Sequence, residues 1–255
     1  MSAICIFDSG VGGVSIAQSV HQRLPRWPIL YSSDNQNYPY GTKSEAEVVA
    51  NTLGHVKKLA DRYEIELLVI ACNTASTVAL PRVREHLQIP VVGVVPAIKP
   101  AAAQSVVKKI GLLATPGTVD RPYTDALIKQ FASDCDVVKV GTRELVDMAE
   151  AKLRGEPIDA AALSAILRPF WEAEVDTVVL GCTHFPLLLS DLRAINDTVN
   201  WIDSGDAIAA RCASLLAEKT PGESYLARAV FSSHEGVDQL IAGLHQFGIA
   251  TVEFI

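Results

Sequence analysis

Two cysteines, Cys72 and Cys182, lie in matched sequence contexts. Residues 67–74 read LLVIACNT and residues 177–184 read TVVLGCTH: an apolar strand, a small residue, a cysteine, and polar residues that open a helix. A thiol at a helix start faces the positive end of the helix dipole, which lowers its pKa from about 8.5 toward neutrality. One such cysteine is most simply a core residue, but two in matched contexts favour a chemical role.

Two thiols of similar pKa suit the inversion of a carbon centre. A thiolate removes a proton from one face of a Cα, a thiol supplies a proton to the opposite face, and the roles exchange in the reverse direction. The other three cysteines are Cys5, Cys135 and Cys212. The total of five is odd, no two of the cysteines lie close together in the sequence, and no C-x-x-C pattern occurs. A disulfide framework or a structural zinc site is therefore not expected.

Several polar motifs could complete a site around these thiols. Asp8-Ser9 opens the glycine-rich segment DSGVGG, which fits neither a dinucleotide fingerprint nor a P-loop. These two residues could contact a substrate ammonium and orient a thiol, or form a strand-to-helix turn with a capping side chain. The turn YPYGT at residues 38–42 could line a pocket with Tyr40 and Gly41, or be a surface loop.

The second half of the chain offers a comparable set. His184 follows Cys182 by two positions and could relay its proton, supported by Glu150 or by Asp147 one helical turn earlier. Thr115 and Thr118 open a helix and suit a carboxylate, or simply cap it. The motifs contain few cations, so we expect a substrate carboxylate to be held by backbone amides at the helix starts after Cys72, Cys182 and Thr115.

Short apolar runs alternate with amphipathic patterns, which predicts an α/β protein. Near-continuous runs are typical of strands buried on both faces of a parallel sheet. Strands are predicted at residues 3–7, 29–32, 66–70, 91–94, 110–114, 137–140, 177–180, 199–202, 227–231 and 251–254. Helices are predicted at residues 13–24, 44–62, 119–131, 143–153, 159–171 and 207–217.

A weak internal repeat predicts two related lobes. The two cysteine segments are 110 positions apart, and residues 4–10 resemble residues 111–117 at an offset of 107. We expect residues 1–95 plus 207–255 to form one α/β lobe and residues 96–206 the other. Ligands of parallel sheets bind at the carboxyl ends of strands, where all four motifs fall, so we expect the active site between the lobes.

Composition narrows the function class. The 255 residues carry a formal charge of −7 with no sizeable basic cluster, which argues against nucleic-acid binding. No apolar stretch approaches the ~18 residues of a membrane span, and the start lacks a signal-peptide pattern. These observations predict a cytoplasmic protein. Whether it is a monomer or a homodimer is left open.

In order and spacing, the motifs IFDSGVGG, YPYG, ACNTAS and GCTHFPLL resemble those of glutamate racemase, from about Ile4 into the C-terminal region. Residues 92–100 and 203–205 also resemble segments of that family. The resemblance implies two pseudosymmetric α/β lobes, interconversion of L- and D-glutamate for peptidoglycan and cell-wall synthesis, and no metal or pyridoxal phosphate. It implies that Cys72 deprotonates the D-isomer and Cys182 the L-isomer. Asp8, His184 and Glu150 are the expected supporting catalytic residues.

The resemblance also implies the substrate contacts and one partner. The expected contacts are Asp8, Ser9, Tyr40, Gly41, Asn73, Thr74, Thr115, Thr118, Thr183 and His184. Residues 141–150 resemble the branch of Escherichia-like bacteria, in which a cell-wall nucleotide precursor, UDP-N-acetylmuramoyl-alanine, can be required for activity. Some members carry an N-terminal extension, whereas Ile4 already lies in the first predicted strand, so activation by the precursor is left open.

Three alternatives would use the same residues differently. A racemase acting on aspartate or another acidic amino acid would keep both thiols and differ in pocket size. A cysteine hydrolase would use one cysteine with His184 and leave the other idle. A two-lobed binding protein for acidic ligands would need neither thiol for its function.

Overall fold

Parallel β-strands form the frame of the protein. A computed structural model describes residues 2–221 and 227–255. Its strands are β1 (Ala3–Asp8), β2 (Ile29–Ser33), β3 (Ile65–Ile70), β4 (Val91–Gly93), β5 (Lys109–Ala114), β6 (Asp136–Gly141), β7 (Thr177–Leu180), β8 (Asn200–Ile202), β9 (Ala227–Phe231) and β10 (Ile249–Phe254).

The helices fill the connections between these strands. They are α1 (Val14–Arg23), α2 (Glu45–Arg62), α3 (Asn73–His86), α4 (Ile98–Gln104), α5 (Pro116–Val119), α6 (Pro122–Phe131), α7 (Glu144–Leu153), α8 (Ala160–Glu172), α9 (Leu189–Ile195), α10 (Gly205–Leu215) and α11 (Ile241–His245). Short 3-10 turns cover Asn35–Asn37, Tyr40–Thr42 and Phe185–Leu188.

The strands lie in two all-parallel sheets, which confirms the predicted fold class. The six-stranded sheet has the order β10-β9-β2-β1-β3-β4, and the four-stranded sheet has the order β6-β5-β7-β8. Every residue of β1 and of β7 is buried, as the near-continuous apolar runs predict. Helices on both faces of a sheet remove such strands from water.

The two sheets share one topology over four strands. The run β2-β1-β3-β4 matches the run β6-β5-β7-β8, so β1 corresponds to β5 and β3 to β7. Cys72 follows β3 and Cys182 follows β7. The sequence repeat therefore reflects equivalent places in two related sheets.

The chain divides into two compact units. One comprises Met1–Val94 with Gly205–Ile255, and the other comprises Val95–Ser204. The expected boundaries placed Val95 in the first lobe and residues 205–206 in the second, and the structure assigns them the other way. Helix α10 begins at Gly205 and packs against α1, which draws residues 205–206 into the first unit.

Local signals explain some helix boundaries. Ser44 caps α2: its Oγ accepts from the Glu47 amide at 3.3 Å, and the Glu47 carboxylate accepts from the Ser44 amide at 2.9 Å. The single helix predicted at 119–131 is wrong. It is two helices, α5 and α6, because Pro122 forces the preceding Arg121 into an extended conformation.

The described helices do not include a membrane span. Among residues 2–221 and 227–255, no helix combines the length and the apolar character that crossing a bilayer requires.

Candidate functional site

The first candidate group surrounds Cys72, at the carboxyl edge of the six-stranded sheet. Cys72 is the N-cap of α3, and its Sγ accepts from the amide of Ala75 at 3.5 Å. The Ser9 hydroxyl lies 3.4 Å from the same sulfur. A helix N-terminus and a hydroxyl both favour negative charge on sulfur. The position of Cys72 at the start of a helix agrees with the sequence prediction.

Asp8 and Ser9 extend β1 into this edge. The Asp8 carboxylate accepts from the amide of Ser9 at 2.6 Å and from the amide of Gly10 at 3.4 Å. Asp8 thus organises a tight turn that places Ser9 against Cys72. Neither residue caps α1, because the N-cap of that helix is Gly13.

Gly13 is required by close packing at this turn. A Cβ at position 13 would lie 2.9 Å from Asp8 Cβ and Oδ2 and 3.1 Å from Ala71 Cβ. Real Cβ atoms do not approach other atoms so closely, so a larger residue would displace Asp8.

The tyrosine turn lies in the same unit. Tyr40 is fully buried, and its hydroxyl donates to Asp34 Oδ2 at 2.6 Å; Gly41 beside it is half-buried. Burial first, and then Asp34 and the charge of Cys72, raise the pKa of Tyr40. The turn is therefore anchored by the buried Tyr40 side chain, while its other residues are partly or fully exposed.

Asn73 and Thr74 begin α3 and are buried beside Cys72 in the chain. The Asn73 Oδ1 atom has no hydrogen-bond partner in the described part of the protein. A buried acceptor without a partner is costly, which is consistent with an atom that meets a ligand donor.

The second candidate group surrounds Cys182 in the other unit. The Cys182 sulfur lies 3.9 Å from His184 Nδ1, and His184 Nε2 lies 3.2 Å from Glu150 Oε1. Of the two acids considered at sequence level, Glu150 on α7 makes this contact, while Asp147 is exposed. Cys182, His184 and Glu150 thus form one continuous chain of polar contacts.

The His184 imidazole favours its charged form. Burial lowers its pKa, but the hydrogen bonds to Cys182 and Glu150 and the charges of both partners outweigh burial and raise the pKa to about 10. At neutral pH the ring is therefore an imidazolium placed between a sulfur and a carboxylate.

The helix expected to open at Cys182 is wrong. The 3-10 turn Phe185–Leu188 follows His184, and α9 begins only at Leu189. Pro186 has no N–H, so it cannot donate the i→i−4 hydrogen bond to the Cys182 carbonyl that an α-helix opening at Cys182 would need. The charge near Cys182 is therefore supplied by a histidine rather than by a helix start.

The remaining predicted contacts also lie in the second unit. Thr115 and Thr118 hydroxyls lie 3.1 Å apart, and Thr115 is the N-cap of α5 without a capping hydrogen bond from its side chain. Thr118 and Thr183 are buried. The hydroxyl pair opens the element that follows β5, at the place equivalent to Asp8-Ser9 after β1.

Sequence reasoning missed a buried polar network that contacts the Tyr40 hydroxyl through Asp34. Asp34 accepts from Tyr40, from Asn37 Nδ2 at 3.0 Å and from Ser232 Oγ at 2.8 Å. His55 Nδ1 lies 3.8 Å from Asp34 Oδ1, and its Nε2 lies 2.7 Å from Ser32 Oγ. The only sequence signal for it is the placement of Ser32 and Asp34 at the end of an apolar strand.

Metal ligands are not clustered in the described residues. No group of three or more His, Cys, Asp or Glu side chains there is arranged to hold a metal ion.

The chain matches a known protein family over a range that includes both Cys72 and Cys182. The sequence profile described as Asp/Glu/Hydantoin racemase matches residues 13–212. The chain belongs to this racemase family. It is an amino-acid racemase and therefore an isomerase.

Within the family, this racemase is similar to proteins named glutamate racemase. One from Klebsiella pneumoniae is 48% identical, over 98% of this chain and 90% of that protein. The crystal structure of the Escherichia coli glutamate racemase in complex with L-glutamate and the activator UDP-MurNAc-Ala has a TM-score of 0.95 and 44% identity, covering 100% of this chain and 98% of that one. A glutamate racemase isoform from Bacillus anthracis has a TM-score of 0.87 and 28% identity, covering 100% and 97%.

Proposed function

We propose that this racemase interconverts L- and D-glutamate with Cys72 and Cys182 as the two acid/base residues, supplying D-glutamate for peptidoglycan. The observation that carries the proposal is the equivalence of the two thiols. Each follows the corresponding strand of two topologically matched sheets, and each has a polar partner at its sulfur. The names of the relatives favour glutamate over aspartate.

In each direction of the reaction, one thiolate gains a proton and one thiol loses a proton. With L-glutamate, the Cys182 thiolate takes the Cα proton and becomes a thiol, while the Cys72 thiol protonates the opposite face and becomes a thiolate. The D-isomer reverses both roles. His184 holds positive charge beside Cys182, and Ser9 contacts Cys72, so each sulfur has a group that stabilises its charged form.

Substrate contacts are assigned by group. We propose that Asp8, Ser9 and Asn73 meet the substrate ammonium, that Thr74 and Thr183 bind its carboxylates, and that Tyr40, Gly41, Thr115 and Thr118 complete the pocket. Asn73 has the strongest structural support, because its buried Oδ1 accepts hydrogen bonds and lacks a donor among the residues that the structure describes, so the substrate ammonium can supply one. We propose that the reaction needs no metal and no pyridoxal phosphate. The cytoplasmic location of the protein stays a prediction.

A cell-wall precursor is proposed as an activator. The Escherichia coli relative with TM-score 0.95 was crystallised with UDP-MurNAc-Ala described as its activator. We therefore expect turnover to rise when this nucleotide is added, and unchanged turnover would contradict activation of this chain.

The test measures optical rotation with purified protein, chelator and no added cofactor. We expect L- and D-glutamate to approach a racemic mixture, with equal kcat/KM in both directions because enantiomers have equal free energy. Cys72→Ser and Cys182→Ser should each abolish turnover, and Cys135→Ser is the matched control. Faster turnover of aspartate than of glutamate, with and without the precursor, would contradict the assigned substrate.

One other activity has a structural observation in its favour. The contacts from Cys182 through His184 to Glu150 resemble a nucleophile, a base and an orienting carboxylate. A cysteine hydrolase would form an acyl-enzyme on Cys182 with a model ester and would tolerate Cys72→Ser. Mass spectrometry of the intact protein distinguishes the two functions, because racemisation leaves no covalent adduct.

A further inference from the structure

The loop after β9 contacts the loop after β2 at the carboxyl edge of the six-stranded sheet. The two strands are parallel neighbours, with Ser33 opposite Phe231. The pairing continues for one more residue, because the Ser232 amide donates to the Ser33 carbonyl at 3.1 Å. Both strands therefore end at the same level of the sheet. Residues 232–235, which follow β9, are called the serine loop below.

The serine loop binds the segment that leads into the tyrosine turn at residues 38–42. The Asn35 side chain donates to the Ser233 carbonyl at 2.9 Å and accepts from the Ser233 amide at 3.0 Å. The Ser232 hydroxyl oxygen accepts from the Gln36 amide at 3.0 Å. These partners lie 196 to 198 positions apart in the sequence, so the end of the chain holds a segment near its beginning.

Asp34 connects the serine loop to Tyr40. The Ser232 hydroxyl donates to Asp34 Oδ1 at 2.8 Å, and the Tyr40 hydroxyl donates to Asp34 Oδ2 at 2.6 Å. Asn37 Nδ2 lies 3.1 Å from Oδ1 and 3.0 Å from Oδ2. A carboxylate accepts on both oxygens, whereas a side-chain amide accepts on one end and donates from the other. The residue type at position 34 therefore fits a junction between three donors.

The backbone at this junction is fixed, so the donors control the orientation of the carboxylate. The Asp34 amide donates to the Asp8 carbonyl at 3.0 Å, which continues the pairing of β2 with β1. Asp34 is 2% exposed. Its remaining freedom is rotation about the side-chain bonds, and donors to both oxygens restrict that rotation. Without the Ser232 donor, only the contacts with Asn37 and Tyr40 would remain to set the orientation.

We propose that Ser232 is a positioning residue for substrate binding: by fixing the Asp34 carboxylate, it fixes Tyr40 and the turn that carries Gly41. The buried Tyr40 side chain anchors this turn, and the half-buried Gly41 stands beside it. The inference rests on the proposed function, in which Tyr40 and Gly41 complete the glutamate pocket. Ser232 acts on the substrate through other residues and is not a catalytic residue.

The first test needs no substrate and follows amide hydrogen exchange of residues 40–43 by mass spectrometry. In this turn the Lys43 amide donates to the Tyr40 carbonyl at 3.1 Å. Ser232→Ala removes one donor to Asp34, so we expect exchange to accelerate about three- to tenfold. The effect stays moderate because Asn37 still donates to Asp34.

Ser233→Ala is the matched control for this measurement. The Ser233 hydroxyl accepts from the Glu235 amide at 3.1 Å, inside the serine loop, so its removal should leave exchange in residues 40–43 as in wild type. Wild-type exchange in Ser232→Ala would overturn the proposal. Equal acceleration in Ser232→Ala and Ser233→Ala would overturn it as well, because it would show a general loosening of the serine loop.

Steady-state kinetics then connect the turn to the substrate. A contact made equally in the ground state and the transition state affects KM and leaves kcat unchanged. Ser232→Ala should therefore raise KM for both isomers of glutamate about three- to tenfold and change kcat by less than about twofold. Ser233→Ala should match wild type in both constants. Wild-type KM in Ser232→Ala, or a fall of kcat alone, would refute the assigned role.

A double-mutant cycle with Tyr40→Phe tests the route through Asp34. Tyr40→Phe removes the hydroxyl that donates to Asp34 and keeps the ring. Because Ser232 is proposed to act on Tyr40 through Asp34, adding Ser232→Ala to Tyr40→Phe should raise KM by less than about twofold more. Fully multiplicative effects would show independent action and would overturn the proposal. Absence of glutamate racemisation in the wild type would instead refute the proposed function, and hydrogen exchange would still decide whether Ser232 fixes the turn.

Discussion

The contact between Glu150 and His184 allows a quantitative prediction. Glu150→Gln keeps the length of the side chain and removes its charge, 3.2 Å from His184 Nε2. A hydrogen bond to a charged group contributes about 1.5–3 kcal/mol, which corresponds to about one to two pH units. The Glu150 side chain is 21% exposed, so solvent screening favours the lower half of this range.

We therefore expect the pKa of His184 to fall from about 10 in the wild type to about 8.5–9 in Glu150→Gln. Histidine NMR titration from pH 6 to 11 measures this directly. Because His184 is charged below its pKa in both proteins, the variant should differ little at pH 7. The basic limb of the kcat profile should move to lower pH by the same amount.

Asp147→Asn is the matched control, because it removes an exposed carboxylate one turn earlier on α7. We expect it to leave the His184 titration unchanged. Equal shifts in Asp147→Asn and Glu150→Gln, or no shift in either, would refute the claim that the contact at 3.2 Å holds His184 in its charged form.

Three further predictions concern the first unit. Gly13→Ala should destabilise the protein by about 1–3 kcal/mol in urea unfolding, because its Cβ would collide with Asp8, and an unchanged midpoint would contradict that packing. His55 has a folded pKa of about 4, below its unfolded value of about 6.5. Stability should therefore be full above about pH 6.5, fall by about 3 kcal/mol between about pH 6.5 and 4, and level off at lower pH. His55→Gln should lose less stability between pH 7 and 4 than wild type, and a parallel loss would refute that assignment. Ser9→Ala removes the hydroxyl 3.4 Å from Cys72 Sγ, so kcat should fall about tenfold with little change in far-UV circular dichroism, whereas wild-type kcat would exclude a role for Ser9.

The sequence predicts the sheets, and the placement of Asp8, Ser9 and Cys72 at the ends of strands, because the signals for both are local. Strands such as β1 and β7 are apolar without interruption, and cysteines, glycines and hydroxyl residues stand directly at their ends. In parallel sheets these ends share one edge, so Cys72, Ser9 and Asp8 are brought together by topology.

The features that the sequence does not reveal depend on distant residues. Ser232 is 198 positions from Asp34, and their contact exists only because β9 pairs with β2. The Cys182 segment reads like a helix start, yet Pro186 and tertiary packing produce a 3-10 turn. Residues 205–206 join the first unit through packing of α10 on α1, which periodicity alone does not show.

The most direct test of the two-thiol account is deuterium incorporation at Cα during the first few per cent of turnover in deuterium oxide. With L-glutamate, the D-glutamate product should be fully deuterated while the remaining L-glutamate stays unlabelled, because one thiol removes the proton and the other supplies the deuteron. The D-isomer should give the mirror result, and Cys72→Ser or Cys182→Ser should prevent it. Unlabelled product, or equal label in product and remaining substrate, would show that one group handles both faces and would contradict the account.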